Sequence, residues 1–210
     1  MSLAPVKTPS WLKRIAPHLI WHIPTTEKSV YLTFDDGPTP GVTDWTLDLL
    51  QKYRANATFF CVGSQVAKYP ELFERIQQEG HSVGNHSENH LKGWSTPTLK
   101  YVDDVSRASK LIRSKLFRPP YGQIRPTQVE ALKDKGFDIV MWSILSKDWD
   151  QKINEETCAN NVIDNTTAGD IIVFHDSLKA RRNLKYALPL VLEDLMSKGF
   201  EFKCIPEPIR

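Results

Sequence analysis

Short apolar runs alternate along this chain with longer segments in which apolar residues recur at helical spacing. The run 30–34 (VYLTF) predicts a buried strand, and Trp45 and Leu49 lie four residues apart in the helix predicted after it. The whole pattern predicts seven strands, over 30–34, 57–62, 81–84, 116–117, 137–144, 170–174 and 200–205, and helices over about 42–54, 65–79, 98–115, 126–135, 154–165 and 183–198. Strands that alternate with helices are typical of parallel βα units, so we predict one α/β sheet or barrel.

Residues 1–27 precede this alternation and contain four prolines and two tryptophans, Trp11 and Trp21. Tryptophans in such a segment usually pack onto the neighbouring domain, because they bury a large apolar surface. We therefore predict an N-terminal tail over 1–27 that packs on a single domain over 28–210. No repeat or low-complexity linker divides that domain.

Composition and charge argue against some classes of function. The 210 residues are 40% hydrophobic and 25% charged, with a net charge of +2 and no block of like charges, so neither a nucleic-acid partner nor a membrane surface is indicated. No run approaches the roughly 18 apolar residues of a membrane span, and no signal peptide is evident. Cys61, Cys158 and Cys204 fit no disulfide or metal pattern, so we expect free thiols and a cytoplasmic protein. The sequence indicates no oligomeric state.

Two adjacent carboxylates follow the first predicted strand. Asp35 and Asp36 come directly after the apolar run, and a Gly-Pro pair then turns the chain. Asp, Gly and Pro are common turn formers, so this tetrapeptide alone is more often a turn than a site. Adjacent carboxylates repel each other, however, and need a cation or different environments to coexist. One of them is a candidate metal ligand and the other a candidate general base.

A pair of histidines follows the third predicted strand. His86 and His90 are four residues apart, a spacing that places two imidazoles on one side of a helical turn. Alone, such a pair is more often two solvated histidines in a polar loop. Together with one aspartate it gives three protein ligands and leaves positions open for water, as in a catalytic metal site. These nitrogen and oxygen ligands suit zinc, and also cobalt, nickel or iron(II).

Further predicted strand ends carry polar or aromatic side chains. Arg118 precedes a rigid Pro-Pro pair and is a candidate to orient an aspartate, and Tyr121 has the first backbone N–H after those prolines, a candidate oxyanion donor. His175 follows the sixth predicted strand and is a candidate general acid. Trp149 and Asp148 are candidates for substrate binding, Trp149 as a groove wall against a sugar face. Each also has a structural interpretation, as a surface Arg, a cap of the barrel end or a core aromatic.

Four of these stretches, in order along the chain, resemble the motifs of the polysaccharide deacetylase family, also called carbohydrate esterase family 4 or the NodB-homology domain. They are TFDDGP at 33–38, HSENH at 86–90, RPPY at 118–121 and VFH at 173–175. The resemblance covers about residues 28–205. It implies a distorted (β/α) barrel with fewer than eight strands, in line with the seven parallel strands counted above.

The resemblance implies a role for most of the candidate residues. It implies that Asp35 is the catalytic base and that Arg118 orients it. It implies that Asp36, His86 and His90 are the ligands of a divalent metal, for which zinc is the first expectation and cobalt, nickel or iron the alternatives.

The resemblance further implies that the Tyr121 N–H stabilises an oxyanion and that His175 is the general acid. The fourth motif departs from the family pattern. Leu145 stands where family members often carry an aspartate that helps to tune the catalytic histidine, while Asp148 and Trp149 keep the end of the motif. How His175 is tuned is therefore left open.

Together these features predict a metal-dependent hydrolase that removes acetyl groups from N-acetylated sugars, with N-acetylglucosamine in peptidoglycan or chitin-like oligomers as the expected substrate. Two alternatives remain. One is an acetyl esterase acting on acetylated polysaccharide through nearly the same site, and the other is a non-catalytic carbohydrate-binding protein with this fold. A metallopeptidase is disfavoured, because the Glu of HSENH lies one place later than in His-Glu-x-x-His.

Overall fold

The structure is a computed structural model that describes residues 5–207 and 209. Its strands are β1 Ser29–Asp35, β2 Ala57–Cys61, β3 Ser82–Asn85, β4 Leu116–Phe117, β5 Asp138–Ile139, β6 Ile144–Leu145, β7 Ile171–His175 and β8 Glu201–Phe202. Its helices are α1 Ser10–Ile15, α2 Thr43–Lys52, α3 Gly63–Lys68, α4 Pro70–Gln78, α5 Thr98–Ala108, α6 Pro126–Asp134, α7 Glu155–Ile163 and α8 Arg181–Ser197. None of these helices has the length and apolar character needed to cross a membrane.

The strands form one parallel sheet in the order β5-β4-β3-β2-β1-β7-β6, and β8 pairs with the beginning of β1. β1 lies at the centre, between β2 and β7. All seven of its residues are buried, which explains its nearly continuous apolar sequence. The sheet curls into a partial barrel surrounded by helices, and this confirms the predicted α/β distorted barrel.

Parallel pairing brings the carboxyl ends of the strands to one end of the barrel. In this register Asp35, at the end of β1, lies between Phe60 of β2 and His175 of β7. Asn85, the last residue of β3, lies beside Phe117, the last residue of β4. The loops that carry the candidate residues therefore all leave the sheet at the same end.

The prediction of a single strand over 137–144 is wrong. Two short strands at opposite edges of the sheet replace it, β5 beside β4 and β6 beside β7, and β6 extends to Leu145. The segment between them crosses the opening of the barrel, and its Val140 and Met141 carbonyls accept hydrogen bonds from the Arg118 side chain. An apolar run has the same pattern whether it forms one strand or connects two, so periodicity alone does not separate the two cases.

Two predicted helices also differ from the structure. The helix predicted over 65–79 is divided into α3 and α4 at Pro70, because proline begins a helix well but lacks the N–H needed to continue one. The helix predicted over 98–115 ends at Ala108. Beyond it the chain turns, and the Ser114 hydroxyl donates to the Glu207 carboxylate, a distant contact that local sequence does not reveal.

The N-terminal tail covers the opening between β5 and β6. The Ile20 N–H donates to the Ile139 carbonyl, and the Ile20 carbonyl accepts the Met141 N–H. Nearer the amino terminus, the Thr8 N–H donates to the Ser143 carbonyl. The tail therefore supplies backbone partners to the segment that crosses the barrel opening.

Of the two tryptophans expected to anchor the tail, one is buried. Trp21 is 7% exposed, belongs to the same buried cluster as Met141, and donates its indole N–H to the Ala16 carbonyl at 3.0 Å. Trp11 is 60% exposed, so the expectation is wrong for this residue. The division of the chain at residue 27 stays a prediction, and residues 1–4, 208 and 210 lie outside the described residues.

We expect Trp21→Ala to lower the free energy of unfolding by about 3–5 kcal/mol, because it leaves a cavity in the buried cluster under the tail. Trp11→Ala is the matched control and should change it by less than about 0.5 kcal/mol, since that side chain is exposed. Urea unfolding followed by circular dichroism measures both variants. Equal unfolding midpoints for the two would contradict the packing of the tail.

Candidate active site

The carboxyl ends of the strands open into one cleft of about 630 Å³. Of the candidate residues, those that line it are Asp35, Asp36, His86, His90, Tyr121, Trp149 and His175. Arg118 and Asp148 are buried behind this lining, each bonded to one of its residues. The structure thus brings together all nine residues that the sequence singled out.

Three side chains in the cleft have the geometry of a metal site. The ligand atoms of Asp36, His86 and His90 all lie within 4.8 Å of one another. Asp36 Oδ1 is 3.1 Å from His90 Nε2 and 3.8 Å from His86 Nε2. Ligand atoms about 2 Å from a shared tetrahedral ion are roughly 3.3 Å apart, so these three residues fit a divalent cation.

His86 is oriented by the backbone of the loop that carries Arg118. Its Nδ1 lies 2.8 Å from the Arg118 carbonyl oxygen, so the proton is on Nδ1 and the Nε2 lone pair is left for a metal. Burial lowers the pKa of His86 to about 4, although Asp35 opposes part of this effect. His86 is therefore neutral at physiological pH, as a metal ligand must be.

Asp36 has the opposite electrostatic setting. Burial raises the pKa of Asp36, but this effect is outweighed by a hydrogen bond with His90 and by the neighbouring His175 and His86. Together they hold the pKa of Asp36 below its usual range. Asp36 is therefore ionised and can act as an anionic ligand.

The two candidate histidine ligands lie on a loop. The expectation that they share a helical turn is wrong, because His90 has a φ of 53°, in the left-handed region. Asp104 of α5 stabilises this loop, and its carboxylate accepts the N–H groups of Glu88 and Asn89. The imidazoles still converge, because the loop folds around this carboxylate.

Asp35 is adjacent to Asp36 in sequence but has a different partner. Arg118 Nη1 donates to Asp35 Oδ1 at 2.7 Å and to Thr33 Oγ1 at 2.6 Å. Arg118 is fully buried and Asp35 is 4% exposed. The two adjacent carboxylates therefore occupy different environments, one beside a guanidinium and one beside two imidazoles, which resolves their expected repulsion.

His175, at the end of β7, pairs with the buried carboxylate of Asp148. The Asp148 carboxylate accepts hydrogen bonds from His175 Nδ1 at 2.8 Å and from the His175 backbone N–H at 2.6 Å. Burial alone lowers the pKa of His175, but Asp148, with smaller contributions from Asp36 and Asp35, raises it to about 9. His175 is therefore an imidazolium at neutral pH, the form that a general acid requires.

This contact corrects the role expected for Asp148. Asp148 is expected among the substrate-binding residues, but it is 1% exposed and both of its carboxylate oxygens accept hydrogen bonds from His175. The contact also shows which carboxylate raises the pKa of His175 when position 145 carries a leucine. Asp148 supplies the tuning carboxylate, while Leu145 is part of the apolar lining of the cleft.

Aromatic and apolar side chains form the walls of the cleft. Trp149 packs edge-on against His175 with ring centroids 4.8 Å apart, and Tyr121 packs against His90 at 4.6 Å. The apolar lining of the cleft includes Trp142, Leu145 and Val173. A cleft with apolar walls and a few convergent polar groups is typical of a small-molecule or sugar site.

Left-handed backbone conformations cluster around this cleft. Of the six non-glycine residues with positive φ in the described chain, Arg54 follows α2, and the others lie on the site loops: Asp36, Ser87, His90, Tyr121 and Lys147. Each such conformation costs of order 1 kcal/mol or more and persists only where surrounding contacts fix it. The loops are therefore held in shape by their neighbours.

Two residues that hold the site escaped the sequence analysis. Thr33 lies within β1, is fully buried, and donates its hydroxyl to the Ile172 carbonyl while it accepts from Arg118. Asp104 lies in α5 and holds the histidine loop. A polar residue inside a buried apolar strand must have a hydrogen-bond partner, so the position of Thr33 in the sequence already indicates a buried polar contact. An aspartate in a predicted helix is ordinary, so the position of Asp104 indicates no such contact.

Comparison with known protein families agrees with this geometry. The sequence model described as "Polysaccharide deacetylase" matches residues 22–140. The chain belongs to the polysaccharide deacetylase family. It is therefore an enzyme of that family, as the four motifs indicated.

Relatives extend the match over nearly the whole chain. A peptidoglycan-N-acetylglucosamine deacetylase of Bacillus cereus is 35% identical over 200 residues, which are 92% of this chain and 93% of that protein. A chitooligosaccharide deacetylase of Bradyrhizobium sp. is 32% identical over 86% of this chain and 90% of its own length. The crystal structure of the Bc1960 peptidoglycan N-acetylglucosamine deacetylase is 29% identical, with a TM-score of 0.87 over 95% of this chain and 96% of that one.

We expect Asp148→Asn to lower the pKa of His175 from about 9, because the amide carries no charge to stabilise the imidazolium against burial. Asp150→Asn is the matched control, since the Asp150 carboxylate accepts from the Lys152 N–H and does not contact His175. An NMR titration of the histidine side chains in the metal-free protein measures both variants.

The same variant should change how stability depends on pH. Because pairing raises the pKa of His175, it stabilises the folded state fully below the unfolded histidine pKa of about 6.5, and this stabilisation is lost as the pH rises through about 9. Asp148→Asn should therefore cost more stability at about pH 6 than at about pH 10. A cost independent of pH in urea unfolding would contradict a charged pair.

Proposed function

We propose that this protein uses a divalent metal, zinc in the first instance, to hydrolyse the acetamide group of an N-acetylated sugar into acetate and a free amine. One observation carries the proposal. Three side chains placed as metal ligands, an aspartate held by a buried arginine, and a histidine held by a buried aspartate share one cleft. These are the parts that metal-assisted hydrolysis with acid–base catalysis requires.

Asp36, His86 and His90 are the proposed metal ligands. When bound, the metal supplies a Lewis acid that polarises the acetyl carbonyl and lowers the pKa of water. One carboxylate and two imidazoles suit zinc, with cobalt, nickel and iron(II) as alternatives. Three protein ligands leave room for water and substrate, which distinguishes a catalytic site from a closed structural one.

Asp35 is the proposed general base. Its Oδ1 is bonded to Arg118, which leaves Oδ2 to accept the proton of the attacking water. The water oxygen then forms the new bond to the acetyl carbon. Arg118 keeps the carboxylate oriented towards the cleft throughout.

His175 is the proposed general acid. Asp148 holds the imidazolium through Nδ1, which leaves the Nε2 proton for the sugar nitrogen as the C–N bond breaks. The backbone N–H of Tyr121 is the proposed donor to the carbonyl oxygen while that oxygen carries negative charge. The proton that Asp35 takes and the proton that His175 gives balance, so the immediate products are acetic acid and the sugar amine. At neutral pH the acid passes its proton to the amine, which gives acetate and an ammonium group.

N-acetylglucosamine in peptidoglycan or in a chitin-like oligomer is the proposed substrate. The names of the two relatives support these sugars. The apolar lining at Trp142, Leu145 and Val173 has the character that an acetyl methyl group requires, and Trp149 offers an aromatic surface to a sugar ring. The cytoplasmic location expected from the sequence stays a prediction.

Acetate release from N-acetylglucosamine oligomers tests metal dependence. The metal-stripped protein should release no acetate, and addition of zinc, cobalt or nickel should restore release, because the metal supplies the Lewis acid of the reaction. No release despite a bound ion would favour an ester substrate, tested with acetylated xylan. No release from either substrate would favour a non-catalytic carbohydrate-binding protein.

Two neighbouring substitutions of the same kind test the division of roles. Asp35→Asn should reduce kcat by about 10²–10⁴-fold and leave zinc affinity nearly unchanged, because Asp35 is proposed to move a proton and not to bind the ion. Asp36→Asn should weaken zinc binding and lose turnover as a consequence. Titration of zinc into each metal-stripped variant, together with acetate release, measures both effects. Loss of zinc affinity in Asp35→Asn and its retention in Asp36→Asn would show that the two roles are exchanged.

A further inference from the structure

A buried carboxylate beside the proposed general acid has no part in the mechanism above. Asp176 follows His175 directly, is fully buried, and donates its backbone N–H to the Asp35 carbonyl at 3.1 Å. Its side chain is directed at the loop after β1, where Oδ1 accepts the Gly37 N–H at 3.0 Å. Buried carboxyl groups are costly unless they are bonded, so these contacts indicate what Asp176 holds in place.

The other carboxylate oxygen of Asp176 is bonded to the first residue of α2. Thr43 Oγ1 donates to Asp176 Oδ2 at 2.5 Å and accepts the Thr39 N–H at 2.7 Å. Thr43 is also fully buried. Asp176 and Thr43 therefore tie the loop between β1 and α2 to the end of β7 at two points, Gly37 and Thr39.

The loop approaches Asp176 so closely that only glycine fits at position 37. A Cβ atom on Gly37 would lie 2.0 Å from Asp176 Oδ2 and 2.5 Å from Asp176 Oδ1, far inside van der Waals contact. The sequence alone explains this glycine as a turn former. The structure gives a stronger reason, which is the carboxylate packed against its backbone.

Asp36, the proposed metal ligand, immediately precedes this contact and has a φ of 83°. A non-glycine residue in this conformation costs of order 1 kcal/mol and needs its neighbours to fix it. Both neighbours are fixed by Asp176, because the Asp35 carbonyl accepts the Asp176 N–H and the Gly37 N–H donates to the Asp176 carboxylate. Asp176 thus holds the backbone on both sides of Asp36.

We propose that Asp176 and Thr43 are positioning residues that hold Asp36 in its left-handed conformation, direct its carboxylate towards His86 and His90, and so set the affinity for the metal. The proposal rests on the metal-binding role of Asp36 proposed above. Residues behind the ligands of a metal site commonly act in this way, by fixing the orientation of a ligand that they do not replace.

A second buried threonine in α2 provides a matched control for Thr43. Thr46 is as fully buried as Thr43, but its hydroxyl donates to the carbonyl of Val42, the residue just before α2, and not to Asp176. Thr43→Val and Thr46→Val therefore remove the same group from the same helix at equal burial, and only the first removes the bonds to Asp176 and Thr39. Competition with a chromophoric chelator measures the zinc affinity of each metal-stripped protein.

We expect Thr43→Val to weaken zinc binding at least about tenfold, and Thr46→Val to change it by less than about twofold. Thr43→Ser keeps the hydroxyl and should restore the affinity. Asp176→Ala removes both side-chain bonds and should weaken zinc binding at least as much as Thr43→Val. Saturating zinc should recover most of the acetate release of Thr43→Val, because the loss lies in metal affinity.

Thermal unfolding of the metal-stripped variants separates positioning from general destabilisation. A loss of zinc affinity in Thr43→Val that Thr46→Val does not share, at a similar Tm, supports the proposal. Equal zinc affinities for the two variants overturn it, whatever their stabilities. Wild-type protein that binds zinc but releases no acetate would refute the proposed function alone, whereas wild-type protein that binds no zinc would overturn both.

Discussion

The buried guanidinium of Arg118 is the group on which the rest of the site depends. It bonds Asp35 and Thr33 at the end of β1 and the carbonyls of Val140 and Met141 in the segment that crosses the barrel opening. A buried charge that loses its partner costs several kcal/mol, so these bonds must form together. Arg118 can therefore orient Asp35 only if the chain after β5 crosses the barrel opening with the Val140 and Met141 carbonyls directed inward.

This requirement gives the N-terminal tail a structural role. The crossing segment cannot pair as a strand with β4 and β7 at once, and its remaining backbone groups need partners. Ile20 supplies them on either side of Val140, and Thr8 does so at Ser143. The tail thereby supports the backbone that receives Arg118, although the two are far apart in sequence.

The sequence was sufficient to predict which side chains meet, but not all of their contacts. Parallel βα units bring their strand ends to one end of a barrel, and this predicts that the residues at the ends of β1, β3, β4 and β7 lie together. Pairing inside the site depends on loop paths that hydrophobic periodicity does not encode. For this reason the sequence predicts neither the pairing of Asp148 with His175 nor the non-helical path of the loop that carries His86 and His90. The left-handed residues are a further case, since each is fixed by distant neighbours such as Asp104.

The conformation of Asp36 explains how two adjacent aspartates can serve one cleft. Successive side chains of an extended strand point to opposite faces, so a strand that continued through Asp35 and Asp36 would turn one carboxylate away. Instead β1 ends at Asp35, and the φ of 83° at Asp36 breaks the alternation, so that both residues line the cleft. Aspartate is among the few residues that enter the left-handed region readily. Aspartate can therefore both bind a cation and tolerate the left-handed backbone conformation that directs its carboxylate to the cation.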